Sequence, residues 1–305
     1  MTITPSRARG LFDASTGDLV VITQQRISWR RRGPATMDIT PGFDWTCVAA
    51  GGGAVAVAGA DSIEWTGPDG SCIHSAAPAS GVCRLAVAGR LVAGVTREGL
   101  LTVWESLDAD PVTMDIADAV VEPEEVAVDG RRLLVTAWGW QDEHATLAAF
   151  DWRPEGLRPV IPAGRWPAPA TGVVLGLADG VLGIGGTDAL TLVSTGGDVL
   201  GTADLPGLER VAGSAEGVGW VRSAATGGGI LVGWGTVTGS GDTRVVDLVA
   251  EQSMPGGDPF PEFTVSDGAL VLAEGVDAHR LVLHRLTGQG WLDPEAVRPQ
   301  DEATE

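Results

Sequence analysis

The 305-residue chain contains no lysine, no asparagine and no tyrosine, and all 20 of its basic side chains are arginine. Each absence removes a chemistry. Without lysine there is no P-loop lysine, no Schiff base and no kinase-type phosphate-binding ammonium. Without tyrosine there is no phenolic acid or base, and without asparagine no N-glycosylation acceptor. The three missing residues share A/T-rich codons, which fits a GC-rich bacterial genome.

Cysteine is scarce as well. Cys47, Cys72 and Cys83 are odd in number and form no Cys-x-x-Cys pair, so reduced, structural thiols are expected. No apolar run approaches the roughly 18 residues that span a bilayer, and the opening "MTITPSRARG" lacks the apolar stretch of a signal peptide. A cytoplasmic protein with no membrane contact, monomeric on its own, is the expectation. Positive charge is short too: 40 acidic residues against 20 basic ones give a formal charge of −20, which opposes DNA, RNA and anionic surfaces. Nucleic acid is therefore not an expected partner. Residues 105–130 carry nine acids and no arginine, whereas "RISWRRR" gathers Arg26, Arg30, Arg31 and Arg32. Such runs are either solvated faces or, for the arginines, a secondary basic patch that would dock an acidic partner.

What is abundant is glycine, with 44 residues, in a chain that is 44% hydrophobic. A Gly-bearing turn followed by an apolar strand recurs at Gly17, Gly53, Gly89, Gly130, Gly180, Gly217 and Gly268, with gaps of 36, 36, 41, 50, 37 and 51 residues. A mean period of about 42 residues is that of propeller blades. A second strand follows each turn and closes on Trp29, Trp65, Trp104, Trp152 and Trp234 in five units, on Ser194 and Arg285 in the other two. A weaker outer strand and a short segment leading to the next Gly complete four strands per unit, here named A to D from the axis outward. No stretch of twelve residues keeps helical spacing. The predicted fold is all-β, a seven-bladed β-propeller of four-stranded antiparallel blades over residues 10–298. Residues 1–9 are read as a tail or ring-closing strand and 299–305 as an acidic tail. Six blades remain an alternative if the first unit is incomplete.

The run Glu98-Gly99-Leu100-Leu101-Thr102-Val103-Trp104 resembles the end of a WD40 repeat, with an acidic turn residue before an alternating strand closed by Trp, and "DALTLVS" at Asp188 keeps the same frame. No unit has the Trp-Asp pair or the Gly-His dipeptide, so the buried polar network of that family is not carried over. A divergent WD40-like propeller of bacterial type is the resemblance, and it implies a non-catalytic interaction platform.

No catalytic motif competes with that reading. "GGGAVA" at Gly51, Gly53 and Ala56 fits G-x-G-x-x-A, but a dinucleotide fingerprint must open a helix and here the alternation continues as a strand. There is no G-x-S-x-G elbow, and His74, His144, His279 and His284 have no ligand spacing, so no metal or cofactor is predicted. His284 is read as a packed core residue.

Loops carry function on a scaffold that positions them, so loop content selects the candidate surface. In a propeller the B–C and D–A connections open on one face and the A–B and C–D connections on the other. "AWGWQDEHAT" is read as an eight-residue B–C loop from Trp138 to Ala145 holding Trp138, Trp140, Asp142, Glu143 and His144. The D–A connections bring Phe43 and Trp45, then Arg165 and Trp166, then Phe260. Trp and Arg are enriched at interaction hot spots. The leading expectation is a scaffold that binds a protein partner through this face. The alternative is an enzyme or small-ligand binder that uses the central funnel, with Asp142, Glu143 and His144 as its polar groups.

Overall fold

Seven times along the chain, an apolar run broken by a tight turn folds back on itself as an antiparallel meander. The computed structural model describes residues 8–13, 16–23, 26–30, 36–67, 72–76, 81–105, 110–120, 123–129, 134–141, 144–153, 155–166, 172–177, 181–194, 197–224, 229–241, 243–255, 262–277 and 280–297. Blade 1 consists of β1 (Arg9–Phe12), β2 (Leu19–Ile22), β3 (Ile27–Arg30) and β4 (Thr36–Ile39). Blade 2 is β5 (Trp45–Gly51), β6 (Ala54–Gly59), β7 (Ser62–Thr66) and β8 (Cys72–Ala76). Blade 3 is β9 (Val82–Ala88), β10 (Leu91–Thr96), β11 (Leu100–Trp104) and β12 (Val112–Asp115). Blade 4 is β13 (Pro123–Asp129), β14 (Leu134–Gln141), β15 (His144–Arg153) and β16 (Gly156–Trp166). Blade 5 is β17 (Gly172–Leu177), β18 (Val181–Gly185), β19 (Ala189–Ser194) and β20 (Val199–Asp204). Blade 6 is β21 (Leu208–Ser214), β22 (Gly217–Ser223), β23 (Ile230–Ser240) and β24 (Thr243–Ser253). Blade 7 is β25 (Glu262–Ser266), β26 (Ala269–Asp277) and β27 (Arg280–Thr287), with its outer strand split into β28 (Gly290–Trp291) and β29 (Glu295–Val297). Pro294 stands between the two pieces, where a residue without an N–H cannot continue a ladder.

Every sheet keeps chain order from its first strand to its last. The first strands touch one another in succession, β1 to β5, β5 to β9, and so on to β25, which meets β1. They are the inner strands around the axis, and the architecture is that of a propeller. β1 completes the first sheet by pairing with β2, so the first unit has its own four strands. Of residues 1–9, read from the sequence as a tail or ring-closing strand, 1–7 lie outside the described residues. At the junction of blades 7 and 1, the Ala8 N–H donates to the Asp277 carbonyl at 2.7 Å. No described helix is long and apolar enough to cross a membrane.

The second strands are buried throughout: all of β2, β6, β10 and β18, and the first five residues of β22 and β26. Both faces of each such strand meet a neighbouring blade, which is why the sequence reads as unbroken Val, Leu and Ala there. The inner strands β5, β9 and β21 are by contrast half-exposed along much of their length, although they lie at the centre of the molecule. Separate apolar clusters fill the seams between blades, for example Val20, Ile22, Trp29, Val55 and Val57 between blades 1 and 2. Leu91, Val95, Leu101, Phe150 and Trp152 do so between blades 3 and 4. The strand-closing tryptophans Trp29, Trp65, Trp104, Trp152 and Trp234 are all buried in these seams.

Hydrogen bonds stitch the A–B turns of neighbouring blades together on one face. The buried Asp13 carboxylate, from the first turn, accepts from the backbone N–H groups of Gly52 at 3.1 Å and Gly53 at 2.5 Å in the turn of blade 2, and from Thr16 N–H at 3.3 Å. Gly89 N–H of blade 3 donates to Gly51 carbonyl of blade 2 at 3.1 Å. Gly268 N–H of blade 7 donates to the Glu216 carboxylate of blade 6 at 3.1 Å. Gly17, Gly53, Gly89 and Gly268 sit at φ of 72°, 75°, 64° and 65°, a left-handed backbone that only glycine adopts without strain, so these four are turn residues by necessity, whereas Gly217 is the first residue of β22. Gly130 and Gly180 lie outside the described residues. "GGGAVA" leads from β5 straight into β6 and opens no helix.

Replacing Asp13 by Ala leaves three backbone donors without their acceptor. Charge-assisted hydrogen bonds of this kind contribute about 1.5–3 kcal/mol, so Asp13→Ala should lower the unfolding free energy in urea by that order, while Asp198→Ala, on an exposed turn, should leave it near wild type.

Candidate interaction surface

The predicted eight-residue loop of blade 4 is not a loop. β14 runs through Trp138 and Trp140 to Gln141, β15 starts at His144, and the ladder pairs Trp138 with Leu147, Trp140 with Ala145 and Gln141 with His144. Only Asp142 and Glu143 connect the strands, and those two residues lie outside the described ones. The added residues lengthen the sheet because they alternate, Trp-Gly-Trp-Gln against His-Ala-Thr-Leu, with aromatic and β-branched residues that favour a ladder. The charged tip disguised that alternation as a loop.

The same correction applies to half of the following D–A connection. "IPAGRW" belongs to β16, with Arg165 opposite Thr146 and Trp166 opposite Ala145. Trp140 and Trp166 therefore stand across from the same residue, one on each side of β15. Trp138 is two positions from Trp140 and so in phase with it. The inner strand β13 begins at Pro123, opposite Gly139, so Trp140 and Gln141 overhang it. Four of the sequence-selected residues, Trp138, Trp140, Arg165 and Trp166, are thus brought together with His144 on one strand-built projection at the B–C end of blade 4.

The other candidates do not join it. Phe43 and Trp45 pack against the apolar seam between blades 1 and 2, where Gly59 lacks a side chain and makes room for the Phe43 ring. Both remain half-exposed. Phe260 lies outside the described residues, as do Arg31 and Arg32. Arg26 is held by Asp38 through two side-chain hydrogen bonds, one of 2.7 Å from Nε, and Ser28 donates to the same carboxylate at 2.9 Å. The Arg26 bonds keep the Asp38 carboxyl below its ordinary range, and the charge of Arg26 is spent on that pair. Arg30 is the last residue of β3, opposite Leu19 and Thr36. Of the basic patch, the described part is Arg26, matched by Asp38, and Arg30 at the end of β3.

Two charged groups escaped the sequence reading because their members lie far apart along the chain. Glu262 at the start of β25 bridges Arg9 of β1 and Arg210 of β21, each at 3.2 Å, which ties together the inner strands of blades 7, 1 and 6 at their D–A ends. Arg210 also lies over the Phe263 ring, 5.6 Å from its centroid. In blade 6, Arg222 donates to both Glu251 oxygens, at 2.7 and 2.5 Å, and Trp220 Nε1 donates to the same carboxylate at 2.8 Å. The only signal in the sequence is an isolated charge at a strand end, which repeats in many soluble proteins.

His284 is not a plain core residue: its Nε2 pairs with Glu274 at 3.0 Å and its ring meets Trp291 edge-on at 6.3 Å. Cys47 and Cys83 are free thiols on adjacent inner strands. Burial pushes Cys47 up to about 11 and raises Cys83 as well, so neither is an activated nucleophile.

Comparison with known proteins supports the fold. No family model matches the chain, and no curated protein matches it. Solved structures do. A chain of the mitotic checkpoint complex aligns with a TM-score of 0.61 at 12% identity, covering 96% of this chain and 90% of that one. Hsv2 of Kluyvelomyces marxianus aligns with a TM-score of 0.63 at 9% identity over 97% of this chain and 100% of that one. BamB of Moraxella catarrhalis gives 0.53 at 13% identity, covering 96% and 85%. At such identities the likeness is one of fold, and the fold is the WD40-like propeller expected from the repeat.

Arg222 holds the Glu251 carboxyl below its ordinary value of 4.5, chiefly by hydrogen bonding. A depressed carboxyl contributes stability above its unfolded value and loses it as the pH falls through the folded one. Unfolding free energy measured by urea titration should therefore drop below about pH 4.5, and Glu251→Gln should reduce the drop while lowering stability at pH 7.

Proposed function

We propose that the protein is a non-catalytic scaffold that binds a protein partner through the B–C and D–A face, centred on blade 4. The observation that supports it best is the overhanging ladder that carries Trp140 and Trp166, with Trp138 and Arg165 in the rows just inside it. A blade closes without the overhang: in blade 3 the second strand ends at Thr96, the counterpart of Gly139, and the sheet is complete. Three tryptophans and an arginine in one projection are the residue types that concentrate binding energy at interfaces, and a ladder holds them more rigidly than a loop would, so less entropy is lost on association. Fold likeness alone does not carry the reading, since one fold hosts many functions.

The funnel alternative depends on Asp142 and Glu143, which lie outside the described residues, and the charged trio at the D–A mouth is engaged with itself.

Substituting Trp138, Trp140 and Trp166 together by Ala should abolish capture of the partner from a lysate of the native host and leave the melting temperature within a few degrees of wild type. Undiminished capture by the triple variant would overturn the assignment of the surface. Substitution of Phe43, which packs on a seam, should instead lower the melting temperature.

A further inference from the structure

A sheet is open to another chain at its edge, and natural sheets blunt their edges with short strands, prolines or charges. Most outer strands here are short: β4 and β12 have four residues each, β8 five and β20 six. β16 is long, at 11 residues, but contains Pro159 and Pro162 and two register shifts. β24 is equally long, at 11 residues, and has neither proline nor glycine. Among the described strands it pairs only with β23.

Among the described residues, β24 carries three of the six exposed large apolar side chains. Val245 is 51% exposed, Leu248 64% and Val249 36%, within five consecutive residues. Their exposure is not that of a loose hairpin. β23 and β24 run past the start of β22 as a two-stranded arm, since Val218 pairs with Gly235 and residues 236–240 pair only with β24. The arm is anchored on blade 5 by Val237 and Val246 against Leu200 and Ala203. The Arg244 carbonyl rests where a side chain on Gly201 would stand. A register shift at Val249 then turns the strand, so that Ala250 faces the seam with blade 7. Val245 and Leu248 are left outside by a backbone fixed on both sides.

Charge identifies the occupant. Asp247 on β24 and Asp204 on the adjoining strand β20 are exposed acids, and the chain as a whole has a formal charge of −20. A second copy would bring the same charge to the contact, whereas a basic segment is attracted to it. Val245 and Leu248 stand on opposite faces of the strand, and we propose that the outer edge of β24 is a strand-addition site that accepts an extended segment of a partner protein with apolar residues on both faces and basic residues among them. Main-chain hydrogen bonds would supply affinity and the apolar residues specificity. This site is separate from the projection on blade 4 and does not depend on it.

The test uses the full chain and a fluorescein-labelled peptide of valine and lysine, about nine residues long and with valines at both odd and even positions, with fluorescence anisotropy and sedimentation velocity as readouts. The peptide should bind wild type, and at least about tenfold more weakly to the Val245→Lys/Leu248→Lys variant. A peptide of the same composition interrupted by proline should also bind at least about tenfold more weakly. Val245→Thr/Leu248→Ser, which adds no charge, should weaken binding too, and the Trp138, Trp140 and Trp166 triple variant should bind as wild type does. Equal binding of the two peptides, which would mean charge attraction alone, overturns the proposal, as does no binding. A concentration-dependent dimer abolished by the Leu248 substitutions would overturn it in favour of a second copy.

Discussion

Everything in this structure depends on blade packing against blade. A four-stranded sheet of some 40 residues whose second strand is apolar on both sides cannot bury that strand alone. Val20 and Val21, adjacent on β2, point to opposite faces of one sheet, and both are buried. They sit in different clusters, Val20 with blade 2 and Val21 with blade 7. Each blade is therefore finished only by its two neighbours, which is the energetic logic of repeat architectures. At roughly 25 cal/mol per Å² of apolar area, it is the seams that hold the chain folded, and the polar contacts decide their alignment.

Those polar contacts fall mainly on the face of the A–B turns. Asp13 reaches into the turn of blade 2, Gly89 into that of blade 2 from blade 3, and Glu216 into that of blade 7. On the opposite face, the Arg9–Glu262–Arg210 chain does the same for blades 1, 7 and 6. Where the last blade meets the first, the seam consists of aliphatic residues, among them Ala8, Leu19, Val21, Ala273 and Leu281. Gly10 is required there, since a side chain on it would lie 2.7 Å from Ala273 Cβ. With the scaffold fixed this way, lengthened strands on blades 4 and 6 can project from it without a core of their own. They leave on opposite faces, which gives the molecule two surfaces that can act independently.

The blades were legible in the sequence because their signal is local and repeated: a glycine, an apolar run and a closing tryptophan. All five closing tryptophans fall on third strands and are buried. The two lengthened hairpins were not legible as strands. At Trp138 to Ala145 a charged tip interrupts the pattern, yet two connecting residues suffice and the ladder extends to Gln141 and His144. "GTVTGSGD" carries three glycines between its polar residues, yet Gly239 pairs with Arg244 inside an 11-residue strand. Length in excess of the repeat was read correctly, but whether it forms loop or ladder is decided by cross-strand partners that no single segment displays. The charged groups failed for the same reason, since Arg9 and Glu262 meet only because the ring brings the two ends of the chain together.

The claim that no blade is stable without its neighbours is tested most directly by native-state hydrogen exchange across the second strands. The account predicts that amides of Val20, Val57, Val95, Val221 and Leu272, one from each of five second strands, exchange with a single common free energy equal to that of global unfolding. A blade whose second-strand amides open at a distinctly lower free energy than the others would contradict it.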